Sequence, residues 1–304
     1  MPLILPPALR KGDIVRVVAP AGPFDPEKME AGLEILRQRG LELVLRQDVF
    51  SRHWYMAGDD DRRLSELQEA LDDPDTRAVW AIRGGYGTMR LLARLDLSRL
   101  TISPKLLIGF SDFTAVHAVS SLAGLASVHG PMVAGLSSAT PEALERLWKL
   151  LFSPSTPEPV DFEPTVIRGG SCRGKLLGGN LSLLTRLLGT PFQPNLDGAI
   201  LLIEDVGEAP YRLDRMLTHL ELAGSNRRLT GVVVGEMTGC EVKNADHGSI
   251  DVLEEKLSRW NVPVVAGLPI GHGKMNLPIP LGLEAELDCC SGRLSFKGPL
   301  VTPR

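Results

Sequence analysis

The sequence predicts an α/β protein: a doubly wound, Rossmann-like N-terminal domain on a parallel sheet, then a second α/β domain, with the site in the cleft between them. Three observations predict the architecture, and candidate residues spread over both halves place the site in the cleft. Short β-branched or apolar runs alternate with amphipathic segments of helical period through the first half. A proline-rich stretch then interrupts that rhythm. Beyond it new strands and helices appear, and the chain closes on a hairpin signal.

Ile14 to Ala19 is β-branched and closed by Pro20-Ala-Gly-Pro23, so it reads as a buried strand ending in a turn. Pro26 to Gln38 carries Met29, Leu33, Ile35 and Leu36 at mostly helical spacing, and Gly40 stops it. Leu41–Leu45 is the next strand and Asp61–Leu71 a second amphipathic helix. The strand Ala78–Ile82 leads into Arg83-Gly-Gly-Tyr-Gly87, with a helix expected over Met89–Leu95. Leu106–Phe110 is a fourth strand, followed by a helix over Asp112–Leu122. This alternation implies parallel strands with helical crossovers, and ligands beyond the carboxyl ends of the strands.

Residues 1–152 form the first domain on this reading. Residues 153–168, with Pro154, Pro157, Pro159 and Pro164, read as a linker. Residues 169–304 form the second domain. Its strands are Ala199–Ile203 and Gly231–Val234, and its helices Arg212–Leu222 and Asp251–Trp260. Glu284–Phe296 alternates around Ser291-Gly292, a hairpin. No internal repeat or low-complexity tract is present.

The 304 residues suffice for real cores, and 43% apolar with 23% charged residues is ordinary for a globular protein. Aromatics at 5% argue against a base-stacking surface, and a net charge of −4 without a Lys/Arg block argues against a nucleic-acid partner. The four cysteines form no C-x-x-C, and adjacent Cys289 and Cys290 point to opposite faces of a strand, so a metal site is not expected and reduced structural thiols are. Met1-Pro-Leu-Ile-Leu-Pro-Pro is no signal core and no stretch reaches membrane-span length, so a cytoplasmic protein without a membrane partner is expected.

Chemistry has three candidate locations. In Gly109-Phe-Ser111-Asp-Phe-Thr114 a serine sits between a buried strand and a helix. A sharp turn there would push its hydroxyl out of the sheet, beside unpaired N–H groups able to hold an oxyanion. Position 113 is Phe, so the G-x-S-x-G fingerprint is incomplete, and the plain alternative is that Ser111, Asp112 or Thr114 caps the helix. Arg83-Gly-Gly-Tyr-Gly87 is either a second oxyanion donor and substrate cradle or a tight connection; it is neither a dinucleotide nor a phosphate-loop motif. Glu204 and Asp205 end a strand, and His272 stands between Gly271 and Gly273 in a loop. Glu204 has Arg212 and Arg215 as alternative partners, and His272 could simply be solvated. His53, His117, His219 and His247 are weaker candidates, while His129 could shape a site. A serine needs a histidine as base and a carboxylate behind it, and all three residue types stand at strand ends or in loops.

Taken in order along the chain, these residues resemble the LD-carboxypeptidase family. The resemblance runs through Lys11-Gly-Asp13 with Val18-Ala-Pro20, Arg83-Gly-Gly-Tyr-Gly87 and Gly109-Phe-Ser-Asp-Phe-Thr114. It continues through His129-Gly-Pro131, Gly178-Gly-Asn-Leu181, Leu202-Ile-Glu-Asp205, Tyr211-Arg-Leu-Asp-Arg215 and Gly271-His-Gly273. Each motif alone is weak, but their order is specific, and it overturns the helix-cap alternative for Ser111.

The resemblance implies a triad of Ser111, Glu204 and His272; adjacent Asp205 should face the other way, since neighbouring side chains alternate along a strand. It implies an oxyanion hole from the backbone N–H of Asp112 and of a glycine in the Arg83–Gly87 loop, Gly85. Arg83, Gly84 and Tyr86 are candidate substrate contacts, Arg83 for the terminal carboxylate of an exopeptidase substrate. The implied reaction releases D-alanine from the murein tetrapeptide L-Ala-D-Glu-meso-DAP-D-Ala, without metal or organic cofactor, in a homodimer. A branch of the family hydrolyses the peptidyl-nucleotide microcin C; its members tend to be longer, with extra loop sequence near the site, and this compact chain tilts toward murein. From another class, a non-catalytic α/β binding protein would keep the fold and lose the triad.

Overall fold

A computed structural model of the protein describes residues 3–241 and 247–304. Strand β1 is Ile14–Val18, and helix α1, Pro26–Gln38, starts where the Asp25 carboxylate caps the N–H groups of Glu27 and Lys28 ahead of a proline in the first turn. Strand β2 is Glu42–Val44. Helix α2, Asp60–Asp72, is capped by Asp59 and leads to β3, Thr76–Ala81. Strand β4 is Leu106–Gly109, helix α3 Thr114–Leu122, strand β5 Ser127–His129 and helix α4 Pro141–Phe152, capped by Thr140.

The second half opens with β6 (Val160–Asp161), β7 (Thr165–Arg168) and β8 (Ser171–Asn180), then α5 (Leu181–Leu187) and β9 (Ala199–Val206). Helix α6 (Pro210–Leu222), β10 (Gly231–Thr238), α7 (Ser249–Leu257) and β11 (Val264–Ala266) follow. The chain ends with β12 (Ile279–Leu281) and the hairpin of β13 (Glu284–Asp288) and β14 (Arg293–Phe296).

Two sheets result. The first has the order β12-β5-β4-β3-β1-β2, parallel except for β12 against β5. The second has the order β6-β14-β13-β8-β9-β10-β11-β7, with β8 to β11 parallel at its centre and antiparallel strands at both edges. The expected α/β architecture with a parallel sheet is therefore what the chain adopts. Strand β9 is buried at seven of its eight residues, as a strand covered on both faces must be. One apolar core runs from Val15 and Trp80 in the first sheet to Ile200 and Leu287 in the second.

Three features differ from the sequence reading. Residues 153–168 are not a free linker: β6 and β7 lie inside them and pair with β14 and β11, so their backbone groups are spent on the second sheet. Strand β12, from the C-terminal part of the chain, pairs with His129, Val128 and Ser127 and so completes the first sheet. The helix expected over Met89–Leu95 is two short 3-10 turns, Thr88–Arg90 and Leu92–Arg94. Leu91 and Leu92 are buried in different clusters, and the N–H of Thr88 is taken by the Asp112 carboxylate, so burial rather than helical spacing set that apolar pattern. Among the described residues no helix is long and apolar enough to cross a membrane.

Candidate active site

Strand β4 ends at Gly109, and after Phe110 comes Ser111, in the left-handed region at φ 60°, opening the single 3-10 turn Ser111–Phe113 that leads into α3. A non-glycine residue there costs about 1–2 kcal/mol, and surrounding structure must hold it. Two glycines make the room. A Cβ on Gly109 would lie 2.8 Å from the Phe113 ring, and one on Gly84 would lie 2.9 Å from Ser111 Oγ. Neither Ser111 nor Asp112 caps α3 with its side chain, and Thr114 Oγ1 instead accepts the N–H of Asn180 at 3.0 Å.

The glycine loop is fastened to this elbow. The Asp112 carboxylate is fully buried, and its Oδ2 accepts the Thr88 N–H at 2.8 Å. Burial pushes its pKa up, while bonds from Thr88 and the Gly87 N–H pull against that. On the far side the Gly84 carbonyl accepts the Gly22 N–H at 3.0 Å, and Arg83 donates to the Pro23 carbonyl at 2.5 Å. Gly84 is thus the loop residue facing Ser111, whereas the Cβ direction of Gly85, at φ 112°, aims at Gly22. Tyr86 is exposed and its ring lies 6.0 Å from that of Tyr55.

His272 stands in the loop between β11 and β12, and its Nδ1 lies 2.7 Å from Glu204 Oε2. Glu204 is wholly buried near the end of β9. The close approach needs glycine at 271, where a Cβ would come 2.9 Å from that carboxylate oxygen; Gly271 has φ 118°. The side chain of buried Asn276 accepts the Gly271 N–H at 3.0 Å and closes the loop. Neither Arg212 nor Arg215 pairs with Glu204; Arg212 meets Glu208. Asp205 does face away: it accepts from Asn180 Nδ2 and the N–H groups of Ser182 and Val206, and burial lifts its pKa to about 6.

Phe110 links the two parts, its ring 4.9 Å from that of His272 and 5.6 Å from that of His129. Ser111 and His272 make no hydrogen bond here; such bonds in hydrolases are often long before substrate closes them. A cleft of about 850 Å³ opens in front, lined by Phe24, Arg83, Phe110, Met132, His272 and Met275 among others. A histidine fixed through Nδ1 keeps Nε2 available for proton transfer, and a half-buried hydroxyl on a strained turn can attack a carbonyl. His129 is buried behind Phe110, and His117 is buried between Ser127 and Gly109, so neither opens onto the cleft. The sequence reading missed Asp112 and Asn276 as side-chain clamps and Lys28 and Lys274 on the cleft wall. Asn276 shares a tight Gly-containing loop with His272, a signal that was available; nothing local marks Lys28.

Two family models match the chain, the LD-carboxypeptidase N-terminal domain over residues 15–130 and the LD-carboxypeptidase C-terminal domain over residues 173–287. The chain is 37% identical to the murein tetrapeptide carboxypeptidase of Pseudomonas aeruginosa over 90% of its own length and 92% of that protein's. It superposes on the crystal structure of muramoyltetrapeptide carboxypeptidase from Oxalobacter formigenes with a TM-score of 0.85 at 32% identity, covering 94% of this chain and 99% of that one. It is also 26% identical to the microcin C7 self-immunity protein MccF of Escherichia coli, over 91% of this chain and 90% of that protein. The chain belongs to the LD-carboxypeptidase family of serine peptidases.

Proposed function

We propose that this protein is a serine carboxypeptidase that releases D-alanine from the murein tetrapeptide L-Ala-D-Glu-meso-DAP-D-Ala. The observation that carries the reading is the 2.7 Å contact of His272 Nδ1 with buried Glu204, set across Phe110 from Ser111 on its strained turn. Ser111 Oγ attacks the carbonyl of the L-centre of diaminopimelate while His272 Nε2 takes its proton. Glu204 holds the imidazole in the required tautomer and steadies the imidazolium. The oxyanion is met by the N–H groups of Asp112 and Gly85. His272 then protonates the departing D-alanine amine, and water repeats the sequence on the acyl-enzyme. In this reading the enzyme needs no metal or organic cofactor and works as a homodimer in the cytoplasm on recycled wall peptides.

The relatives named for murein peptides support this substrate. The nucleotide-hydrolysing alternative asks for an aromatic platform, and the carbocyclic rings on the cleft lining are those of Phe24 and Phe110. The test incubates the purified protein with the tetrapeptide and follows free D-alanine and tripeptide, with an aminoacyl-sulfamoyl adenosine as competing substrate. We expect D-alanine from the peptide, and at least a ~10³-fold loss in Ser111→Ala with an unchanged melting temperature. A folded protein that leaves the peptide intact and cleaves the adenosine derivative refutes the murein reading.

A further inference from the structure

We propose that Lys28 and Lys274 are carboxylate-recognising residues that make this enzyme selective for acidic peptides, an inference that rests on the peptidase reading above. Lys28 lies in the first turn of α1, on the wall that also carries Phe24. Lys274 lies two residues beyond His272, on the loop clamped by Asn276. Both lysines are exposed and line the cleft, and neither makes an ion pair or a side-chain hydrogen bond among the described residues. Arg83 is the third cation on this lining, and it is tied to the Pro23 carbonyl rather than to an acid.

The acids nearby do not neutralise them. Asp25 is the carboxylate on the lining, and its Oδ1 is engaged by the N–H groups of Glu27 and Lys28 at the start of α1. Glu236 packs behind the loop at Gly273 and accepts from Thr238, without pairing to Lys274. A chain of formal charge −4 therefore presents three cations and one helix-capping carboxylate, Asp25, along one apolar-walled cleft, a net positive lining. Low-dielectric walls strengthen and focus that field on an incoming anion.

The tetrapeptide has matching chemistry. With D-Glu joined through its side-chain carboxyl, its α-carboxylate is free; the D-centre of diaminopimelate bears a second carboxylate, and terminal D-alanine a third. Neutralising one of these leaves a cleft cation unanswered. The expected penalty for an exposed pair is roughly threefold to tenfold in kcat/KM, mostly through KM and greater at low ionic strength.

The experiment compares the parent peptide with one carrying lysine in place of diaminopimelate and one with the D-Glu α-carboxylate amidated. Each is assayed with the native enzyme, Lys28→Gln and Lys274→Gln. We expect each neutralised peptide to lose that factor with the native enzyme, and the loss to vanish in the lysine variant whose partner has been removed. Equal turnover of all three peptides, or lysine variants that retain native kinetics on the parent, overturns the proposal. Calorimetric binding of the same peptides to Ser111→Ala reads the lysines without turnover. Charge-dependent binding with no cleavage by the native enzyme would sink the peptidase reading and leave the lysine assignment standing; binding indifferent to peptide charge would sink the lysine assignment alone.

Discussion

Glu204 is a wholly buried acid whose Oε2 meets His272 and whose Oε1 has no hydrogen-bond partner among the described residues. An uncompensated buried carboxylate is costly, so a role in holding the imidazole accounts for it better than a role in stability. Glu204→Gln keeps the shape but favours the wrong tautomer of His272. Its kcat on the tetrapeptide should fall by about 10²- to 10⁴-fold while the thermal midpoint holds or rises. Unchanged kcat would remove Glu204 from the mechanism. Asp205, one residue on, is spent on Asn180, Ser182 and Val206, so its substitution should act on stability first.

At the scale of elements, the glycine loop and the serine turn behave as one piece because Asp112 accepts Thr88 N–H from below and Gly84 closes over Ser111 from above. Gly84→Ala tests this. Its new methyl would stand 2.9 Å from Ser111 Oγ, where the proposed mechanism brings the substrate carbonyl. We expect kcat to drop by about 10²-fold or more, with folding shown intact by circular dichroism and urea titration, since Gly84 is not at positive φ. Near-native activity would mean that the loop swings away from the serine. Asn276→Ala frees the Gly271 N–H and should cost about 1–2 kcal/mol, read as a lower urea midpoint.

Across the molecule, α3 joins the two sheets. Its Thr114 accepts the N–H of Asn180, and Gly179 at φ 138° leaves room for that hydroxyl. Burial also holds two histidines neutral at the end of the first sheet. His117 is depressed to about 4, with Nε2–H donating to the Gly109 carbonyl, and His129 to about 3, with no side-chain hydrogen bond from either ring nitrogen among the described residues. The unfolded chain protonates both near 6.5, so stability is fully present above that pH and is lost as pH falls toward 4 and then 3. Each histidine contributes a slope of up to about 1.4 kcal/mol per pH unit in that window. Asp205, lifted to about 6, acts in the opposite sense, favouring the fold as it becomes protonated. In urea unfolding at pH 7, 5.5 and 4.5, His129→Phe should flatten the acid decline by up to about half; an unchanged slope would show that His129 is not buried neutral.

Much of this was legible locally. The alternation of apolar strands with capped amphipathic helices is written in neighbouring residues, because side-chain period and capping chemistry are short-range. Asp25, Asp59 and Thr140 start their helices as their residue types require. The ordered motifs likewise single out Glu204 and His272, which meet at 2.7 Å, and Ser111, which stands on the strained turn. Other features had no local signal. Residues 153–168 read as a linker because prolines dominate them, yet Val160 and Thr165–Arg168 find strand partners more than ninety residues away. Strand β12 is three residues long, and only its docking on β5 makes it part of the first sheet. Local sequence determined which segments are strands and helices and which side chains have chemistry to offer. The folded chain alone decided which of them meet, since hydrogen bonds and packing between distant segments depend on three-dimensional proximity that no short window of residues encodes.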